Sequence, residues 1–351
     1  MDGDEATAGL AAPALRTTTR FFVDPADTVY AALDLGTNNC RLLIAKPQGP
    51  GLRVVDSFSR IVRLGEGLAL TGRLADDAML RTLDALDICR RKIDEKGASR
   101  VRLVTTEACR VATNGGEFLA RVRRETGLDI DLLTRQREAE LAAAGCAVLA
   151  DPKAESVVLF DIGGGSTEIV WLAVAGQQDR DIAARVRAWA SLPIGVVNLA
   201  DRHGGEVVNT ATFEVMVEET LRGLADFRLA AAQAPAGRNF HLLGTSGTVT
   251  TLGGLHLGLE RYDRRQVDGL WMSNAEVDAI QSRLLAMSYA ERRNNGCIGR
   301  DRADLVLAGT AIFEAIRRAF PATRMRIGDR GLREGLLLEM MREDGALARA
   351  R

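Results

Sequence analysis

Apolar residues fall along this chain in two patterns, short unbroken runs and stripes at helical spacing, and their order predicts the elements. Residues 29–33 and 41–45 are short apolar runs that predict buried strands, and 52–58 alternates like a third strand. Turns rich in Gly, Thr, Asn and Pro separate the three, which predicts a meander. From Gly72 to Lys96 the apolar positions Met79, Leu83, Leu86 and Ile93 recur at helical spacing, with Gly97 placed to close the helix. A strand over 101–104, a helix over 117–125, a strand over 130–133 and an Ala-rich helix over 137–149 follow. Asp151-Pro152 breaks that helix.

The pattern then restarts. Residues 156–160 are again apolar, a glycine turn follows, and 169–172 is a second apolar run. The two segments align without gaps, Asp34 with Asp161, Gly36 with Gly163, Asn39 with Ser166 and Arg41 with Glu168, 127 positions apart. Two such copies, each opening half of the chain, predict an internal duplication. Further on, His241-Leu-Leu-Gly-Thr-Ser-Gly-Thr-Val-Thr-Thr251 places a third Gly/Ser/Thr turn between a strand and a helix. Helices are expected to dominate from there to Leu336.

At 351 residues the chain suits two domains of ordinary size. The expected division is a disordered lead-in over 1–27, a first domain over 28–136 and a second over 137–329. A C-terminal helix over about 330–351 is expected to pack back on the first domain. A net charge of -1 offers no global attraction to nucleic acid or an anionic membrane, so neither partner is expected and any anion must be held locally. No apolar run is long enough to span a bilayer. The five cysteines are scattered, with no C-x-x-C pair and no His at zinc spacing. They predict reduced, buried thiols in a cytoplasmic protein.

A glycine turn after a strand exposes backbone N–H groups in a concave array suited to phosphate. Glycine allows positive φ and a close approach of the ligand. An aspartate at the end of the same strand would repel bare phosphate, but it suits a hard cation such as Mg²⁺ that neutralises phosphate oxygens. Asp34-Leu-Gly-Thr37 and Asp161-Ile-Gly-Gly164 therefore read as paired phosphate-and-metal grips facing one cleft. No G-x-x-x-x-G-K-[S/T] loop, Rossmann fingerprint or H-E-x-x-H motif is present. A Ser-His-Asp triad has no support in the sequence.

Taken together, Asp34-Leu-Gly-Thr-Asn-Asn39, Asp161-Ile-Gly-Gly-Gly-Ser-Thr-Glu168 and Gly244-Thr-Ser-Gly-Thr-Val-Thr-Thr251 resemble the exopolyphosphatase / guanosine pentaphosphate phosphatase family. That family belongs to the sugar kinase, heat-shock protein 70 and actin superfamily. Segments 105–114, 192–199, 302–309 and 329–335 extend the likeness over nearly all of 28–338. The resemblance implies an α/β fold of two actin-like (ribonuclease H-like) domains with a ligand cleft between them. It implies a hydrolase releasing terminal phosphate from inorganic polyphosphate, or alternatively from guanosine pentaphosphate. A non-catalytic sensor of such ligands is a further alternative.

Roles carry over by position. Glu138 matches the general base, expected to act without strong tuning of its pKa. Asp161 and Glu168 match catalytic carboxylates that, with Asp34, would hold Mg²⁺ (or Mn²⁺). Phosphate contacts are implied for Asp34, Gly36, Thr37, Asn38, Gly163, Gly164, Gly165 and Ser166, for Thr245, Ser246 and Gly247 of the third turn, and for Arg110 and Arg302. A homodimer is also compatible with the resemblance. The stretch Thr134-Arg-Gln-Arg137 departs from the family pattern, and Arg137 is expected either to lower the pKa of Glu138 or to add a phosphate contact. Arg41 stands where members often carry His or another polar residue. Longer members have a C-terminal helical domain for long polymers, which this chain is expected to lack.

Overall fold

A computed structural model describes residues 27–176, 181–233 and 239–347. The lead-in expected over 1–27 falls, except for Asp27, outside the described residues. The first sheet is built from β1 (Tyr30–Leu35), β2 (Asn39–Gln48), β3 (Gly51–Ile61), β4 (Arg100–Thr105) and β5 (Asp131–Leu132), in the order β3-β2-β1-β4-β5. β1, β2 and β3 form the expected antiparallel meander, while β4 joins β1 in parallel and β5 joins β4 in parallel.

The second sheet repeats this plan. Its strands are β6 (Ser156–Ile162), β7 (Thr167–Ala173), β8 (Val186–Leu192), β9 (Phe240–Thr245), β10 (Trp271–Ser273) and β11 (Arg324–Gly328), in the order β10-β11-β9-β6-β7-β8. β6, β7 and β8 form a meander, β9 lies parallel to β6, and β11 lies parallel to β9. The duplication is therefore one of topology as well as sequence. It also diverges chemically, because Asp34 pairs across the strands with Arg41 whereas Asp161 pairs with Glu168.

β8, β10 and β11 were not foreseen, but beyond residue 251 helices dominate as expected, with the short β10 and β11 between them. β11 hides its alternation because Arg324 and Arg326 occupy one face, and there the two guanidiniums lie 4.2 and 5.2 Å from the ring centroid of Trp271. Their aliphatic stems and planar heads cover an aromatic surface, so the strand looks polar in sequence and is packed in the fold.

The helix Asp76–Glu95 buries Met79, Leu83, Leu86 and Ile93 against one face of the first sheet, and Gly97 follows it at φ 62°. The opposite face packs on the helix Leu332–Glu343 through Tyr30, Ala32, Leu43, Leu336 and Met340. That helix also crosses the helix Arg135–Cys146 closely. A Cβ on Gly145 would stand 2.0 Å from the Gly331 carbonyl oxygen, and one on Gly335 2.1 Å from that of Leu141. Helix Arg135–Cys146 is thereby fixed between the sheets with its first turn at the cleft. No helix among the described residues is long and apolar enough to cross a membrane, and all five cysteines are free and buried.

Candidate active site

The two Asp–Gly turns meet. A Cβ on Gly164 would lie 3.0 Å from both the Asn38 nitrogen and Thr37 Cβ, and one on Gly165 would lie 2.6 Å from Thr37 Oγ1. Only glycine lets the turns come this close. The second turn is braced from behind by its carbonyls. Gly163 O accepts from the Val196 N–H at 3.0 Å, Gly164 O from the Val197 N–H at 2.8 Å, and Gly165 O from Asn198 Nδ2 at 2.8 Å. The amides of Thr37, Asn38, Gly164, Gly165 and Ser166 have no partner among the described residues. With their carbonyls held and their N–H groups free, the turns are shaped to receive an anion.

The third turn adds to this array. Ser246 has φ 95°, a conformation normally left to glycine, and it leads into the helix Gly247–His256, whose N-terminus faces the cleft through Gly247 and Thr248. The side-chain oxygens of Asn38, Asn39 and Ser246 are buried without a partner among the described residues. Unpaired buried polar atoms are rare in folded proteins and call for a ligand or water. Arg302 lies against this turn, where a Cβ on Gly247 would meet its Nη1 at 3.1 Å.

The cleft is lined by Asp34, Gly36, Thr37, Asn38, Glu138, Asp161, Gly163, Gly164, Gly165, Ser166, Glu168, Ser246, Gly247 and Arg302. Two residues assigned to phosphate by position do not line it. Thr245 lines only an adjoining extension of the cleft, and its hydroxyl donates to the Arg330 carbonyl. Arg110 is turned onto protein groups: Nη2 donates to Glu138 Oε2 at 2.8 Å, Nη1 to Glu107 Oε2 at 2.5 Å, and Nε and Nη2 to the Leu133 carbonyl at 3.2 and 3.0 Å. Arg110 therefore anchors the glutamate.

Glu138 lies in the first turn of its helix, which Thr134 caps by accepting the Arg137 N–H at 3.3 Å. An ordinary first-turn glutamate is solvated, whereas Glu138 is only 7% exposed. Burial pushes its carboxyl up to about 7, against the lowering effect of Arg110 and with help from Asp34 and Asp161. Strong tuning is thus present where none was expected. Arg137 plays neither role foreseen for it, since its guanidinium binds Glu140 at 2.9 Å and Glu339 at 2.6 Å.

Burial also raises Asp161 to about 6, opposed by Arg41 and reinforced by Asp34, and it raises Asp34 against the influence of Arg41 and Arg333. Glu168 is pushed up by burial and then by Glu138 and Asp161, while its Oε1 accepts from Ser191 Oγ at 2.8 Å. Four carboxylates facing one cleft, Glu138 and Glu168 buried and Asp34 and Asp161 half-buried, are a poor arrangement without a cation. Among the described residues, however, no three Asp, Glu, His or Cys side chains stand close enough to share one ion. Asp34, Asp161 and Glu168 thus do not form a ready three-carboxylate cage. A hard ion held by Asp34 and Asp161 and completed by water and phosphate oxygens fits this donor set.

Sequence reasoning left out Arg41 and Arg333. Both line an extension of the cleft together with Arg302, and none of the three makes an ion pair among the described residues. Burial lowers the pKa of Arg302 and Arg333, and Arg41 adds to the lowering in each. The signal for Arg41 was its alignment with Glu168 in the duplicated turn.

A family model described as the Ppx/GppA phosphatase family matches residues 43–344. The chain belongs to this family. It is 32% identical over 303 residues to Exopolyphosphatase 2 of Mycobacterium tuberculosis, covering 83% of this chain and 90% of that one. It is 27% identical over 315 residues to Guanosine-5'-triphosphate,3'-diphosphate pyrophosphatase of Vibrio cholerae, covering 90% of this chain and 60% of that longer protein. The crystal structure of the Aquifex aeolicus Ppx/GppA family member superposes with a TM-score of 0.73 at 29% identity, covering 90% of this chain and 98% of that one. The α/β fold of two actin-like domains follows from that likeness, and the protein is a Ppx/GppA enzyme that hydrolyses phosphoanhydride bonds.

Proposed function

We propose that the protein shortens inorganic polyphosphate from its end, releasing one phosphate per turnover by attack of water. The observation that carries this reading is the buried carboxylate of Glu138, which lines the same cleft as the free amides of the two Asp–Gly turns. The amides of Thr37, Asn38, Gly164, Gly165 and Ser166 and the N-terminus at Gly247 bind the non-bridging oxygens of the terminal phosphates. Asp34 and Asp161 would hold a divalent ion, which would supply charge neutralisation at those oxygens. Glu138 takes a proton from the attacking water as the new P–O bond forms. The bond from terminal phosphorus to bridging oxygen breaks, and the shortened chain leaves with that oxygen and its charge. Phosphoryl transfer of this kind depends mainly on positioning and electrostatics, and Arg110 keeps the Glu138 carboxylate in place.

The extension of the cleft supports a phosphate chain over guanosine pentaphosphate. Arg41, Arg302 and Arg333 line it, and a guanidinium binds phosphate in two-pronged fashion. A guanosine would need a surface for its base. Among the described residues, the only aromatic ring lining the extension is that of Tyr262, whose hydroxyl is tied to Asp329 at 2.5 Å. The test is phosphate release from long polyphosphate, short polyphosphate, guanosine pentaphosphate and ATP, measured side by side with Mg²⁺, Mn²⁺ or chelator. Fastest metal-dependent release from polyphosphate is expected. Faster release from guanosine pentaphosphate would overturn the substrate assignment, and phosphate transfer from ATP to a small acceptor would overturn the hydrolytic one.

A further inference from the structure

Arg63, just past the end of β3, is one of only two non-glycine residues with positive φ among the described residues, at 49°. Side chains disfavour this region, and it persists only where the surroundings over-determine it. They do so here through the first Asp–Gly turn. The N–H groups of Val62 and Arg63 both donate to the Asn38 carbonyl, at 2.9 and 3.0 Å, and the Gly65 N–H donates to the Thr37 carbonyl at 2.9 Å. Gly65 is packed so closely that a Cβ would fall 2.2 Å from Thr37 Cγ2. Residues 62–65 therefore form the outer wall of the phosphate turn.

From this wall the Arg63 side chain crosses to residues 301–304, just before the helix Val306–Ala319. Nη1 donates to Asp304 Oδ2 and Nη2 to Asp304 Oδ1, each at 3.0 Å, and Nη2 also reaches the Asp301 carbonyl at 3.1 Å. Asp304 stands two residues after Arg302 and directly before Leu305 and Val306, and Arg302, Leu305 and Val306 all line the cleft. One residue thus grips the first turn with its backbone and the far wall with its side chain. A glycine would hold the same φ without strain, so the arginine is explained by what its side chain holds.

We propose that Arg63 is a positioning residue whose two-pronged ion pair with Asp304 ties the first phosphate turn to the Arg302 wall and so sets the width of the cleft. The proposal rests on the reading of that cleft as the hydrolytic site. A paired guanidinium and carboxylate fix orientation as well as distance. The pair is part-buried, with side chains 29% and 21% exposed, but water still reaches it and screened pairs contribute little to stability, so losing this one should alter catalysis more than folding.

Arg63→Gly removes the tie and relieves the backbone, which separates the contact from the strain. Its melting temperature should equal or exceed that of the parent, while kcat for phosphate release from polyphosphate falls about tenfold or more with a smaller change in KM, as expected of misplaced reacting groups. Asp304→Asn should lose about as much, and the double variant should be no worse than either single one. Arg63→Lys should not rescue, since an ammonium cannot reproduce the paired geometry. Amide exchange at Val62 and Gly65, whose N–H groups are held by the Asn38 and Thr37 carbonyls, should quicken in both single variants of the ligand-free protein. Wild-type kcat in either, losses that multiply in the double variant, or unchanged exchange would each overturn the proposal. The exchange measurement decides even if the parent protein were to hydrolyse no polyphosphate, so failure of the tie and failure of the hydrolytic reading remain distinct.

Discussion

Arg110 Nη2 donates to Glu138 Oε2 at 2.8 Å, while the Nη1 of the same guanidinium is held by Glu107, which in turn accepts from Arg135 Nη2 at 2.8 Å. Charges alternate along this series of side chains, so the carboxylate proposed as the base is held in a built framework. Burial raises the Glu138 pKa and Arg110 lowers it. The balance leaves the carboxylate at about 7, ionised enough to accept a proton near neutrality and basic enough to hold it.

Glu138→Gln keeps the size of the side chain and removes the base. Phosphate release should fall by roughly 10²–10⁴-fold, the usual contribution of a general base. Binding of polyphosphate, followed by equilibrium titration, should remain measurable because the turn amides are untouched. Release at the parental rate would remove Glu138 from the mechanism.

Arg110→Gln should act through pH. A base works above its pKa, so activity rises as pH passes through that value. Without the guanidinium that lowers it, the Glu138 pKa climbs, and the acid limb of kcat/KM should move to higher pH. Activity lost at about pH 7 should then return in part at about pH 9. A pH-independent rise in KM would mean instead that Arg110 binds phosphate directly.

Much of this site was legible in the sequence because it is made by backbone. The glycines of the two turns are required by close approach, and their spacing from Asp34 and Asp161 is fixed by a hairpin that occurs twice. Helix Asp76–Glu95 was legible from periodicity alone. Arg110 was assigned to phosphate because its partners, Glu107, Glu138 and the Leu133 carbonyl, converge only through tertiary packing. The tuned pKa of Glu138 was invisible for the same reason, since burial of a first-turn residue depends on what lies above it. β11 escaped because arginines covering Trp271 read as solvent-facing.

Gly195→Ala tests whether the second turn is held by its support. The new Cβ would stand 2.4 Å from the Gly164 carbonyl carbon and oxygen and 2.5 Å from the Gly165 nitrogen, all backbone atoms that cannot swing aside. The turn must shift, at a cost of roughly 1–3 kcal/mol, and phosphate release should drop steeply. Chemical denaturation and kinetics check the two effects. Gly116→Ala, whose Cβ would meet nothing within 4 Å, is the control.

The clustered carboxylates of the cleft should also make the metal-free protein less stable as pH rises. Folding raises Glu138 to about 7 and Asp161 to about 6, and moves Asp34 and Glu168 in the same direction. A raised carboxyl pKa means that the native state binds protons the unfolded chain has released. Stability is therefore highest below the unfolded values, about 4, and declines through the folded ones. His241 works the other way, since burial lowers its pKa from 6.5 and favours the fold as pH rises towards that value. Asp201, also raised by burial, adds to the decline, whereas carboxylates lowered by their partners, such as Asp56 and Glu214, titrate at or below the unfolded value of about 4 and so act mainly at more acid pH. Asp263, lowered to about 2, finishes titrating below this window and does not contribute. A tenfold change in proton affinity on folding corresponds to about 1.4 kcal/mol, so the net loss between about pH 5 and pH 7.5 should amount to a few kcal/mol. It would be seen as a melting temperature lower by several degrees. Asp161→Asn should flatten the slope, and Mg²⁺ with inorganic phosphate should restore stability at about pH 7.5 by binding only the native state. A melting temperature that is flat or rising over this range in the metal-free protein would show that the four carboxylates do not share a strained site.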